Sequence, residues 1–210
     1  MKHLTNLFKL IELTRSQPQY GYTLSSIQQD EMSNLAEHQY LVTFIGWQLA
    51  RQLKNKGAKI DVMKVVEFCL IHDLGELFGG DINTHYAKVN PKARKYAKAF
   101  EEENQRFLAR FFGNDEKYFK GLGHEILDAS SNEALIAKIS DFLEHTYYKQ
   151  YAKVSSKKFD VDLLKPKLEV LVSKIKDPVA KRELSKFIKS WIRDVLKKEV
   201  YEILYENAEK

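Results

Sequence analysis

The stretch Cys69-Leu70-Ile71-His72-Asp73-Leu74-Gly75-Glu76 sets an imidazole and a carboxylate side by side at the end of an apolar, helix-like run. A glycine and a second carboxylate follow at once. Imidazole nitrogens and carboxylate oxygens hold borderline divalent cations, and they also serve as general acids and bases. Two further candidates stand elsewhere, His38 in Ala36-Glu37-His38 and Asp141 in Ile139-Ser140-Asp141. Together the four can bind one metal ion, provided the intervening helices bring them to one point.

Hydrophobic periodicity indicates those helices. Leu4, Leu7, Phe8 and Ile11 predict an amphipathic helix over roughly 2–15, ending near Ser16-Gln17-Pro18. Residues 17–33 read as a long loop, a kind of segment that is often functional in a compact domain. Asn34 is an N-cap for a helix over roughly 35–55, with Leu41, Val42, Ile45 and Leu49 as its apolar stripe. At about 100° per residue, His38 falls at the centre of that stripe. Gly57 ends this helix, and Asp61 caps another over roughly 62–74, on which Val65, Phe68, Cys69 and His72 share a face and Gly75 stands at the C′ position. The short connection makes the two helices antiparallel, so both histidines point inward.

Phe78 to His85 is a loop by composition, with glycines that let backbone approach a ligand. A helix over roughly 91–112 begins at Pro91, carries Ala97, Phe100, Phe107, Leu108 and Phe111 inside, and stops at Gly113-Asn114-Asp115. Residues 116–129 give only a weak helical signal. Ser130 and Glu133 form a capping-box pattern for a helix over roughly 131–152. Its main apolar arc is Leu135, Ile136, Ile139, Phe142, Leu143 and Thr146, and Asp141 lies off it on a stripe with Ala134 and Ala137. After the linker-like Lys153–Lys158, two more helices are expected over roughly 160–176 and 178–207. Asp177-Pro178 starts the second, and Pro166 marks a start or a kink in the first. No strand pattern, repeat or low-complexity tract is found, so the fold class is all-α.

Spacing leaves the chemistry open. Buried charge must be paired or metal-bound, and His38, His72 and Asp73 suit a hydrogen-bonded core network as well as a metal site. Taken alone, Asp141 reads as a solvated residue paired with Lys138 or His145, Glu76 as an exposed helix end, and Asp81 as an Asx-type turn after Gly79-Gly80. One cysteine excludes a disulfide framework or a cysteine-based zinc knuckle within the chain. The net charge of +5 and pI near 9.0 come from scattered lysines. They fit an anionic small substrate, and without an aromatic-basic motif nucleic acid is not the expected partner. The first residues lack the apolar run of a signal peptide and no stretch reaches about 18 apolar residues, so a cytoplasmic protein with no membrane partner is expected.

The blocks Glu37-His38, His72-Asp73-Leu74-Gly75-Glu76, Gly80-Asp81-Ile82 and Lys138-Ile139-Ser140-Asp141 resemble, in order and spacing, the HD superfamily of metal-dependent phosphohydrolases. They are most similar to its single-domain 5′-deoxynucleotidase branch. The resemblance covers roughly residues 5–152. It implies a single all-helical HD domain over 1–210, a bundle with extra C-terminal helices from roughly 155 to 210. It also implies one divalent ion (Mn, Co, Ni, Fe or Zn) held by His38, His72, Asp73 and Asp141. Glu76 matches the water-orienting carboxylate and Asp81 the acid that protonates the leaving 5′-oxygen. Thr84 matches a substrate-contacting threonine, although Asn83 replaces the usual proline before it.

The sequence departs from the pattern in the first loop, where the family carries an arginine before a tryptophan. Here Gln19-Tyr20-Gly21-Tyr22 occupies that place, so Gln19 brings no charge, Tyr22 replaces the indole, and Arg15 is the compensating candidate for the phosphate. Lys88 and Lys92 read as a solvated face. His85, His124 and His145 stand at no motif position, which argues for one ion. The expected activity is hydrolysis of (deoxy)nucleoside 5′-monophosphates. The alternative is a non-catalytic HD module that binds a nucleotide as sensor or scaffold, and the C-terminal helices are candidates for a homodimer contact.

Overall fold

The computed structural model describes residues 2–25, 27–153, 157–198 and 200–208. Ten α-helices carry its regular structure: α1 (Lys2–Ile11), α2 (Leu35–Asn55), α3 (Val62–Ile71), α4 (Thr84–Val89), α5 (Pro91–Ala109), α6 (Glu116–Asp128), α7 (Asn132–Tyr151), α8 (Lys157–Lys174), α9 (Pro178–Asp194) and α10 (Val200–Ala208). No strand occurs among the described residues; an isolated bridge joins Pro18 to Asn34. No described helix is long and apolar enough to cross a membrane. Of the expected loop and linker, Ser26 and residues 154–156 lie outside the described residues.

Helices α2, α3 and α7 pack on one another at the centre. Val42, Val65, Phe68, Cys69, Ile136, Ile139 and Leu143 fill the space between them. The buried stripe of α2 is rotated from the one expected: Leu41 is 45% exposed, while Gly46 and Ala50 are buried. Small residues win this face because the helices come close. A Cβ on Gly46 would stand 2.6 Å from Cys69 Sγ and 3.2 Å from Ser140 Oγ. The same logic buries the Ala134, Ala137 and Ser140 stripe of α7, which brings Asp141 inward with it. Leu164, Leu168, Val172, Leu184 and Ile188 of α8 and α9 join the same continuous core.

The helix starts follow capping chemistry. Asn34 and Glu37 form a full capping box on α2, and Asp61 accepts from the amides of Met63 and Lys64. Asp177 caps α9, with Pro178 in its first turn. The cap of α7 is Ser131, which accepts from Ala134 N, and not Ser130; Glu133 instead accepts from the Asp61 amide. Two other expectations are corrected. Helix α3 stops at Ile71 and a 3-10 turn, Leu74–Glu76, follows, so Gly75 lies inside a turn. The loop from Phe78 to His85 is cut short because Asn83 accepts from the amides of His85 and Tyr86 and opens α4. Helix α5 buries Asn104 and Gln105 and leaves Phe100 and Phe107 exposed. The Asn104 amide reaches the Gly75 carbonyl at 2.7 Å, so a polar face serves the turn after His72-Asp73. The helix expected over 178–207 is two, broken between Asp194 and Val200, and α8 runs through Pro166.

Candidate functional site

His38 stands one turn inside α2 and is fully buried between α3 and α7. His72 caps the C-terminus of α3, Asp73 precedes the 3-10 turn, and Asp141 comes from the middle of α7. The four side chains meet. His38 Nε2 lies 3.2 Å from His72 Nε2, 3.4 Å from Asp73 Oδ2 and 3.3 Å from Asp141 Oδ1. His72 Nε2 is 3.3 Å from Asp73 Oδ2 and 3.9 Å from Asp141 Oδ1.

The outer hydrogen bonds decide which faces of the rings look inward. His72 Nδ1 is 2.8 Å from the Cys69 carbonyl, which only accepts, so Nδ1 carries the proton. His38 Nδ1 is 2.6 Å from Glu144 Oε2. In neutral rings both Nε2 atoms therefore present lone pairs, facing each other and two carboxylate oxygens. Asp141 Oδ1 is buried with no hydrogen bond of normal geometry, although His145 Nε2 lies 3.0 Å away. Four acceptors converging without a donor between them fit a cation, and outer partners of this kind are what fix ligating histidines. Two nitrogens and two oxygens form a mixed set suited to a first-row divalent ion. His38, His72 and Asp73 form one group of donors with metal-compatible spacing; His38, Asp141 and His145 form another.

The charges respond accordingly. Burial pulls the His38 pKa down, but hydrogen bonds that the protonated ring donates to Asp141, Asp73 and Glu144 more than reverse it and raise it well above the ordinary imidazole value. Burial likewise pushes Asp73 up, yet the charges of His72 and His38 leave it lowered. Asp141 falls well below the usual carboxylate value because His145, His38 and His72 overcome its burial. A proton on His38 stands where the site calls for a cation.

A cavity of about 330 Å³ opens beside Asp73 and Asp141, within the size range of small-ligand sites. Glu76 and Asp81 face it. Burial raises the Glu76 pKa well above the usual carboxylate value, and the charges of Asp73 and Asp81 add to the rise. Burial also raises Asp81, opposed by the hydrogen bond it accepts from the Gly21 amide. The approach is close, since a Cβ on Gly21 would lie 3.2 Å from Asp81 Oδ2 and the carboxylate would have to give way slightly. The Asn83 side-chain amide in turn donates to the Gly21 carbonyl. Asn83, in place of a proline, thus stitches the first loop to the loop after α3.

Gln19, Tyr22 and Thr84 line the same cavity, Thr84 as the first residue of α4. Tyr22 is buried, and its hydroxyl is hydrogen-bonded to His145 Nδ1. Arg15 is a correction. It ends a 3-10 turn that continues α1 outward, pairs with Glu12 at 2.8 Å, and does not line the cavity. Glu144 and His145 were missed as site residues, as were Lys149 and Lys167 on the cavity wall. Glu144 left no periodic signal, since like Asp141 it falls off the apolar arc of α7, between Ser140 and Ala137. Lys138 donates to the Leu127 carbonyl and not to Asp141.

Known proteins share both sequence and fold with this chain. The 5′-deoxynucleotidase HDDC2 of Dictyostelium discoideum is 26% identical over 166 residues, covering 75% of this chain and 84% of that protein. The 5′-deoxynucleotidase VV1113 of Vibrio vulnificus is 27% identical over 161 residues, covering 75% and 81%. Among solved structures, a conserved hypothetical protein from Pyrococcus furiosus superposes with a TM-score of 0.65 at 25% identity, covering 90% of this chain and 98% of that one. The PH0347 protein from Pyrococcus horikoshii shares the fold, with a TM-score of 0.64 at 22% identity over 90% and 98%. The HD domain family matches residues 12–179, from the turn after α1 through the start of α9, and the chain belongs to that family.

Proposed function

We propose that this chain is a metal-dependent phosphohydrolase acting on (deoxy)nucleoside 5′-monophosphates to give nucleoside and phosphate. The observation that carries the reading is the convergence of His38 Nε2, His72 Nε2, Asp73 and Asp141 on one point, each ring fixed by a partner on its other nitrogen. These four would hold the ion. When bound, a divalent ion supplies a nucleophilic hydroxide at neutral pH and offsets phosphoryl charge.

The chain's own groups divide the remaining work. Glu76, beside Asp73 on the cavity wall, accepts a hydrogen bond from the attacking water and orients it. Asp81 is held by the Gly21 amide, and burial raises its pKa toward the protonated form. Its proton goes to the departing 5′-oxygen, which gives the leaving group as a neutral alcohol. Thr84 and Tyr22 shape the wall toward the sugar. The relatives named 5′-deoxynucleotidases support the substrate class, and the cavity has the size of a small-ligand site.

The test is phosphate release from a panel of nucleoside monophosphates by metal-stripped protein given Mn, Co, Ni, Fe or Zn in turn. Turnover is expected with at least one ion. Nucleotide binding without turnover under every ion would overturn the reading in favour of a sensor or scaffold.

A further inference from the structure

The cavity has an acidic floor and a basic rim. Asp73, Glu76, Asp81 and Asp141 line the floor. The carboxylates of Asp73 and Asp141 by themselves offset the charge of one divalent ion, so the floor holds no positive surplus for a phosphate dianion and a second source of positive charge is needed. Among the described residues no arginine lines the cavity, Gln19 is neutral, and the exposed Arg15 pairs with Glu12. Among the described residues the lining lysines are Lys149 near the end of α7 and Lys167 on α8.

Lys167 is positioned. Its Nζ lies over the Phe142 ring, 5.4 Å from the centroid, and Phe142 both lines the cavity and follows Asp141 in the chain. A cation–π contact of this kind holds an ammonium without neutralising it. The helix beneath is rigid, because Leu164, Leu168 and Leu171 anchor α8 in the core. Burial lowers the Lys167 pKa, the charges of Lys88, Lys149 and Arg94 add to the fall, and Asp141 opposes it. Two lysines from two helices on one cavity wall, with Lys88 and Arg94 close enough for their charge to be felt, favour an anion there.

We infer that Lys167, with Lys149 beside it, binds the substrate phosphate, so that α8 forms part of the substrate pocket and Lys167 determines specificity for a dianionic phosphomonoester over its neutral nucleoside. The inference rests on the proposed function for its substrate, and on the cavity alone for its anion.

Two measurements on the full-length, Mn-loaded protein test it: inorganic phosphate binding by calorimetry, and steady-state hydrolysis of dAMP. Lys167→Met is expected to weaken phosphate binding and raise KM by about tenfold or more, with kcat changed by less than about threefold, as loss of one charge-assisted hydrogen bond implies. Manganese content and Tm stay at wild-type values, Lys167→Arg restores both constants, and Arg15→Ala changes neither. Phosphate affinity unchanged in Lys167→Met overturns the inference, as does a wild-type protein that binds no phosphate. If dAMP is not hydrolysed while phosphate binding still depends on Lys167, the proposed function fails and this inference stands. Normal turnover with phosphate binding indifferent to Lys167 gives the reverse.

Discussion

Glu144 Oε2 stands 2.6 Å from His38 Nδ1, across the buried contact between α7 and α2. Glu144 is only 2% exposed, and the bond keeps the proton of His38 on Nδ1 and its lone pair toward Asp73 and Asp141. Glu144→Gln is therefore expected to weaken metal binding by about 10- to 100-fold, the usual effect of losing a ligand's outer partner. Isothermal titration of the stripped protein with Mn checks it. Unchanged affinity would mean that the His38 ring is held by packing alone.

Metal retention should depend on each inward carboxylate. Asp73→Ala leaves two imidazole nitrogens facing a single carboxylate, and the purified variant is expected to hold no stoichiometric metal by elemental analysis. Chelation of the wild type should lower Tm, because an ion at about 100 times its Kd contributes about 2.7 kcal/mol to the folded state. An Asp73→Ala protein that keeps full occupancy would displace Asp73 from the ligand set.

Removing the acid or the water-orienting group should affect chemistry and spare the metal. Asp81→Asn and Glu76→Gln are each expected to lower kcat by about 10²- to 10⁴-fold with metal content intact. Asp81 acts in its protonated form, which its raised pKa favours, so activity should decline as pH rises through that pKa. In Asp81→Asn the residual rate should lose this decline. A profile that keeps the same alkaline limb would assign it to another group.

Three of the four candidate metal-site residues carry a local signature. His38 lies on a buried helix face, and His72-Asp73 ends an apolar run. Asp141 was not legible from periodicity, since it sits off the hydrophobic arc of α7. It comes inward because Ala134, Ala137 and Ser140 on its stripe let α7 pack closely against α2 and α3, a consequence of partner helices that no single-helix pattern contains. Arg15 misled for the opposite reason: its charge was right, but the 3-10 turn after α1 carries it outward. Lys167 left no signal, because its neighbours Phe142 and Asp141 are distant in sequence and meet it only when α8 folds onto α7.

The turn that presents His72-Asp73 tolerates no side chain at its centre. A Cβ on Gly75 would lie 2.8 Å from the Glu101 backbone oxygen and 2.9 Å from Gln105 Cγ. Backbone cannot move aside as a flexible side chain can, so Gly75→Ala is expected to destabilise by about 1–3 kcal/mol, the range for overpacking. Urea denaturation measures it. A loss below about 0.5 kcal/mol would show that α5 can shift away from the turn.

Glu101, on the same face of α5, makes stability depend on pH in a stated direction. Burial pushes its pKa up to about 7, the charge of Asp73 adds to the rise, and Lys138 opposes it. A carboxyl with a folded-state pKa above its unfolded value binds its proton more tightly when folded. Its penalty is absent below the unfolded pKa, grows as pH rises from about 4.5 to 7, and is complete above that. Glu101→Gln removes the titration, so in metal-free protein it should add about 1–3 kcal/mol at pH 8 and much less at pH 5, after discounting for partial exposure. A bound divalent ion offsets the Asp73 charge, and the gain at pH 8 should shrink when Mn is added. Equal gains at both pH values, measured by denaturant melts of variant and wild type, would show that Glu101 is already ionised at pH 5 and that the charge of Asp73 does not reach it.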